Sequence, residues 1–159
     1  MKGKKYNMLN YDSTVDALEH KKIVEKTMKV IIEDLVYRAS IHDNSKLESP
    51  EREGYDSLIP ELRKAKYGSE KYNQIRKDMM DRCLSHHYEV NRHHPEHFEN
   101  GIEEFTLVDL VEYFVDTYSA STKSDTPYSE GVKINAKKHN LPDVLVKIFE
   151  NTVTEYFPK

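Results

Sequence analysis

Apolar residues recur at three- and four-residue spacing along most of this chain, and that period restricts it to helices. Ala17, Val24, Met28, Ile31 and Leu35 fall on one stripe, and Tyr72, Ile75, Met79, Cys83, His86 and Val90 fall on another. Strands have little to be made from, because alternating Val/Ile/Thr runs are almost absent. The expected fold is all-α, a compact helical bundle, and 159 residues suit a single domain with one sizeable core.

Local signals divide the chain into elements. Asp12-Ser13-Thr14 followed by Asp16 resembles a capping box and opens a helix from about Thr14 to Arg38, leaving residues 1–12 as an N-terminal arm. Asn44, Pro50, Gly54, Pro60 and Gly68 punctuate the next stretch, with a short helix near Ile59 to Lys66. A second long helix spans roughly Glu70 to Val90, and the His-rich turn NRHHPEHFENG ends at Asn100-Gly101. Thr106 with Asp109 makes another capping box, opening an apolar helix through about Thr122. The loop KSDTP leads to a helix from about Tyr128 to Lys138, and Leu141-Pro142 introduces a last helix ending near Tyr156.

Composition excludes several functions. Hydrophobic residues make up 37% and charged residues 33%, yet eleven Tyr and five Phe supply large buriable surfaces, so the expectation is a folded and very soluble protein. A net charge of -4 and a pI near 6.1 argue against a general grip on nucleic-acid backbone. The lone Cys83 cannot form an internal disulfide and reads as a small buried hydrophobe. No segment approaches the roughly 18 to 20 apolar residues of a membrane span, and MKGKKYNMLNYD is not a secretory signal. Cytoplasm is the expected compartment, and an oligomer is compatible with the sequence.

The histidines carry the chemical signal. Five of the eight lie between His86 and His97, His42 stands beside Asp43, and His20 is on the first helix. His20 sits at the edge of the apolar stripe and is expected to point inward. His42-Asp43 follows that helix at a turn, where adjacent side chains can converge. His86 shares the inward stripe with Met79 and Cys83. Imidazoles with a carboxylate suit one or two divalent transition ions, Mn, Fe, Co, Ni or Zn, better than calcium. Such an ion lowers the pKa of coordinated water toward neutrality, which favours hydrolysis of a phosphoester held alongside. Plainer readings compete: His20 as a satisfied structural histidine, and His93, His94 and His97 as parts of a surface turn. By periodicity Asp116 falls with Asp109, Glu112 and Ala120 opposite the apolar side of its helix, where a solvated acidic face is the ordinary outcome.

His20, His42-Asp43 and Asp116 in VEYFVDTYSAS resemble the H…HD…D signature of the HD-domain metal-dependent phosphohydrolases. HHYEVNRHHPEHFENG followed by FVDTYSASTKSDTPY is similar to segments of the HD-GYP branch, although the GYP tripeptide is absent and cyclic-dinucleotide specificity does not carry over. The set His20-Lys21, HDNSK at His42 to Lys46, HHYEVNRHH at His86 to His94, and EYFVD is also similar to a small uncharacterised family of phage and bacterial proteins. The resemblance covers about His20 to Ala120 and implies a first metal site of His20, His42, Asp43 and Asp116. It implies that His86 or His87, with one or more of His93, His94 and His97, completes a second ion or holds phosphate.

The resulting expectation is a phosphohydrolase acting on a small phosphorylated metabolite, foremost a nucleotide. Asp43 and Lys46 are the catalytic candidates, and Lys46, Asn91, Arg92, His93 and His94 the substrate-binding ones. The metal candidates are His20, His42, Asp43, His86, His87 and Asp116. A di-iron oxygenase and a non-catalytic nucleotide- or partner-binding module are the alternatives.

Overall fold

Asp12 opens the first helix by accepting a hydrogen bond from the Thr14 N–H at 2.9 Å. The computed structural model describes residues 11–65, 69–122 and 127–158, so the expected arm at residues 1–12 lies largely outside the described residues, as does most of the KSDTP loop. Helix α1 runs Ser13–Ile41, and α2 runs Glu51–Lys64. Helix α3 (Glu70–Met79) passes through a π-helical turn (Met80–Leu84) into α4 (Ser85–Val90). After two 3-10 turns (Pro95–His97 and Gly101–Glu104) come α5 (Leu107–Thr122), α6 (Tyr128–His139) and α7 (Asp143–Tyr156). The fold is all-α, with no strand among the described residues.

Two small cores flank a polar seam. Leu58, Ile75, Met79, Cys83 and Leu84 pack α2 against the α3–α4 run. Tyr113, Phe114, Val132, Leu141 and Phe149 tie α5, α6 and α7 together. The end of α1, the turn after it, the end of α4 and the His-rich turn meet between them. Turn chemistry holds this layout: Gly101 takes φ +61, and Asn140 closes α6 in the left-handed region at φ 53.

Three expectations change. Helix α2 begins eight residues before the short helix read from the sequence and runs through the expected breaks. Pro50 precedes its first turn, and Pro60 lies at an exposed position where water can take the carbonyl left without a donor. Gly54 lets α2 approach the π turn, since a Cβ there would lie 2.7 Å from Cys83 Cβ. The apolar stripe of α1 does not face a core: none of its residues is buried, and Val24 and Met28 are 41% and 57% exposed. Periodicity shows that a helix has an apolar face; it does not supply a neighbour to cover it. The acidic face of α5 turns inward, with Asp109 fully buried. No helix among the described residues is long and apolar enough to cross a membrane.

Candidate metal centre

Each element brings one part of a common centre. Helix α1 ends at His42, and Asp43 takes φ 58, a left-handed conformation that aspartate tolerates at some cost, which lets neighbouring side chains turn to the same place. Helix α4 supplies His87, and the turn after it supplies His93 and His94. Asp109, Glu112 and Asp116 share one face of α5 through three- and four-residue spacing.

Asp43, His87, His93 and His94 form one group whose ligand atoms all lie within 4.8 Å of one another. Asp43 Oδ1 is 3.4 Å from His87 Nε2 and 3.5 Å from His93 Nε2, while His87 Nε2 and His94 Nε2 are 2.8 Å apart. His42 with His93 and Glu112, and His42 with Asp43 and Asp116, form two further groups within the same limit. His42 Nε2 is 3.6 Å from both Asp43 Oδ2 and Asp116 Oδ1.

Carboxylates behind the imidazoles orient them. His87 Nδ1–H donates to Glu51 Oε2 at 2.8 Å, which leaves the Nε2 lone pair facing inward. Glu51 is fully buried in the first turn of α2, where the helix dipole favours an anion, and its other oxygen accepts from His86 Nδ1 at 2.8 Å. Glu112 Oε1 lies 3.0 Å from His42 Nδ1 and 3.4 Å from His93 Nδ1, so it orients both rings the same way. Arg38 fixes Glu112 from behind at 3.3 Å and reaches buried Asp109 at 2.6 Å. Asp109 also closes the Thr106 capping box, accepting from the Thr106 N–H at 2.9 Å while its own N–H donates to Thr106 Oγ1 at 3.2 Å.

Electrostatics divide the centre. Burial, then the neighbouring His93 and His87, push His94 down to about 3, and burial followed by Lys46 also lowers His87. These imidazoles are therefore neutral and can offer lone pairs. His42 is pushed up to about 10, first by Asp116 and then by Glu112. Burial alone would raise Asp43, but Lys46, 2.5 Å from its Oδ2, and His42 together hold it low.

The residues fit a cation. Asp43 Oδ1 and His93 Nε2 are buried without a hydrogen-bond partner among the described residues, although each is within reach of lone-pair donors. Unpaired buried polar atoms are rare, and a cation on the converging atoms would satisfy both. Asp43 Oδ1 with three Nε2 atoms is an N/O set suited to a divalent transition metal.

Several sequence expectations are corrected in detail. His20 is exposed on α1 and belongs to none of the three groups; at the α-helical rise of 1.5 Å per residue, roughly 30 Å of helix separates it from Ile41. His86 joins none of them either, because the i→i+5 bonding of the π turn takes in an extra residue and passes the inward register from Cys83 to His87. His93 and His94, expected to bind substrate, face Asp43 and His87 instead. Arg92 is held bidentately by Asp109, at 3.2 Å and 3.0 Å, and Asn91 Nδ2 donates to Ser45 Oγ and the His87 carbonyl, both at 2.8 Å. Both therefore position the centre. His97 Nδ1 meets the Tyr88 carbonyl at 3.1 Å. His42, Asp43, His87 and Asp116 do come together.

Glu51, Glu112 and Arg38 were not read from the sequence. The spacing of Asp109, Glu112 and Asp116 was visible, but only tertiary packing turns that face inward. Glu51 follows a proline at a helix start and carries no other local mark.

Residues 9–155 match the family described as a family of unknown function (DUF5662), and the chain belongs to that family. No curated protein and no solved structure matches it.

Proposed function

We propose that this DUF5662 chain is a metal-dependent phosphohydrolase of HD-domain type, acting on a small phosphorylated metabolite, foremost a nucleotide. The observation that carries the reading is the convergence of Asp43 Oδ1 with the Nε2 atoms of His87, His93 and His94, with two of these atoms buried and unpaired. A divalent ion held there supplies Lewis acidity and an activated water for phosphoester hydrolysis.

The chain's own residues supply the remaining requirements. Lys46 is partly exposed and, while paired with Asp43, can offer further N–H donors to a phosphate oxygen. Glu51 and Glu112 hold the imidazoles in one orientation, so that little reorganisation accompanies binding. Burial alone would raise Asp116, but His42, its Nε2 3.6 Å from Oδ1, holds it low, so the carboxyl group is ionised and the proton of the pair sits on His42, the group suited to proton transfer to a leaving oxygen. A cleft of about 260 Å³ adjoins His42, His93 and Glu112, and it is lined also by Tyr37, Arg38 and Arg92. It lies below the usual size range of pockets for drug-sized ligands, and the Arg38 and Arg92 guanidinium groups in its wall are already paired with Asp34, Asp109 and Glu112, so the cleft does not itself select an anion.

The test is a panel of nucleoside mono-, di- and triphosphates and cyclic nucleotides, each assayed with Mn, Co, Ni, Fe and Mg. Phosphate release that disappears in Asp43→Ala supports the reading. Uniform inactivity of metal-loaded protein contradicts it, and tight ligand retention without turnover would assign the chain to a binding module instead.

A further inference from the structure

We propose that Lys46 is a built-in second cation: it holds the edge of Asp43 on which a second divalent ion would otherwise sit with His42 and Asp116, so the chain binds one ion. The inference rests on the metal-centre reading above and adds its stoichiometry and the residue that sets it.

Asp43 presents its two oxygens to different surroundings. Oδ1 is buried, has no hydrogen-bond partner among the described residues, and faces His87 Nε2 at 3.4 Å and His93 Nε2 at 3.5 Å. Oδ2 is paired with Lys46 Nζ at 2.5 Å and faces His42 Nε2 at 3.6 Å. His42 Nε2 in turn lies 3.6 Å from Asp116 Oδ1, and these three residues are a group with ion-binding geometry of their own once an ion takes the place of the His42 Nε2 proton. Ligand atoms about 2.0–2.2 Å from a shared ion stand roughly 3 to 3.5 Å from one another, so the spacings on both sides of Asp43 are near those of a site. A carboxylate so placed could bridge two ions, one on each oxygen.

The ammonium stands in the way of the second. An ion on Oδ2 and an ammonium at hydrogen-bond distance from the same oxygen would be like charges within a few ångströms. Lys46 is also held in place from several directions. Its N–H donates to the Asp43 carbonyl at 2.9 Å in the turn Asn44–Leu47, and its Nζ lies 5.5 Å from the centroid of the Tyr55 ring. A tethered cation is present at high effective concentration, which a free ion must overcome.

The experiment is metal stoichiometry with Mn²⁺, measured by calorimetry and elemental analysis on untagged, chelator-treated protein, with electron paramagnetic resonance to detect coupled pairs. Wild type is expected to bind one equivalent and Lys46→Met two, with the spin-coupled signal of neighbouring ions. Lys46→Arg keeps the charge and should stay at one. Lys46→Met combined with Asp116→Asn should return to one, which locates the second ion. Two equivalents in wild type, or one in Lys46→Met with an intact helical circular dichroism spectrum, would overturn the proposal and leave the metal centre standing. No equivalents in wild type would remove the centre as well. Because the wild-type count is itself diagnostic, a poorly folded variant does not rescue the idea.

Discussion

His87 Nε2 stands 2.8 Å from His94 Nε2, with the two ring planes inclined at 65°. With His87 Nδ1–H committed to Glu51, its Nε2 presents a lone pair, so His94 must either donate to it or share a cation with it. The second arrangement also satisfies Asp43 Oδ1 and His93 Nε2, and Glu51 acquires a measurable role.

Glu51→Gln should lower divalent-metal affinity about 10- to 100-fold, the usual effect of losing a carboxylate behind a ligating imidazole. Gln can accept from only one of His86 and His87, and its amide N–H₂ faces the other. Calorimetry of metal binding, with circular dichroism to confirm the fold, checks this. Unchanged affinity would mean that His87 is not a ligand oriented by Glu51.

Metal-free protein should be most stable near pH 6.5. His94 is pushed down to about 3, so below 6.5 the unfolded chain takes up a proton that the folded chain refuses, and stability falls with acid. His42 is pushed up to about 10, so its contribution is fully present below 6.5 and fades as pH rises through about 10. Melting temperatures of chelator-treated protein from pH 4 to 10 should therefore pass through a maximum, with an acid arm of several degrees given roughly 2–4 °C per kcal/mol at this length. A monotonic rise with pH would contradict the protonation states assigned to these two residues.

Gly54→Ala should destabilise the fold by about 1–3 kcal/mol, because the new Cβ would lie 2.7 Å from Cys83 Cβ at the contact between α2 and the π turn. Gly131→Ala meets nothing within 4 Å among the described residues and should stabilise α6 by about 0.5–1 kcal/mol. Denaturant unfolding of the pair gives opposite signs if the contact is as described.

Asp109→Asn should cost about 2–3 kcal/mol in the same assay, since it removes the charge that two guanidinium groups share. It should also weaken metal binding, because Arg38 orients Glu112 and Glu112 orients His42 and His93.

Much of the fold was legible, and the site less so, for physical reasons. Capping chemistry is local, so the helices beginning near Asp12 and Thr106 could be read from adjacent residues. The run Glu70–Val90 was legible as one helical stretch, but the π turn within it, which lies against Gly54, carries no local mark, and His87 is the inward residue beyond it. Asp43 could be singled out beside His42, whereas its left-handed backbone could not. An apolar stripe implies no core by itself, and His20, expected to point inward, is exposed on a helix with no buried residue. It follows that His20→Ala should leave metal content unchanged while His93→Ala removes it.

The most direct measurement is anomalous X-ray diffraction from crystals grown with Mn²⁺ or Zn²⁺, recorded at the absorption edge of the metal. The account predicts a peak about 2.0–2.2 Å from Nε2 of His87, His93 and His94 and from Oδ1 of Asp43. A metal-supplemented crystal with no peak among those four residues, or with the ion only at exposed histidines such as His20, would contradict it.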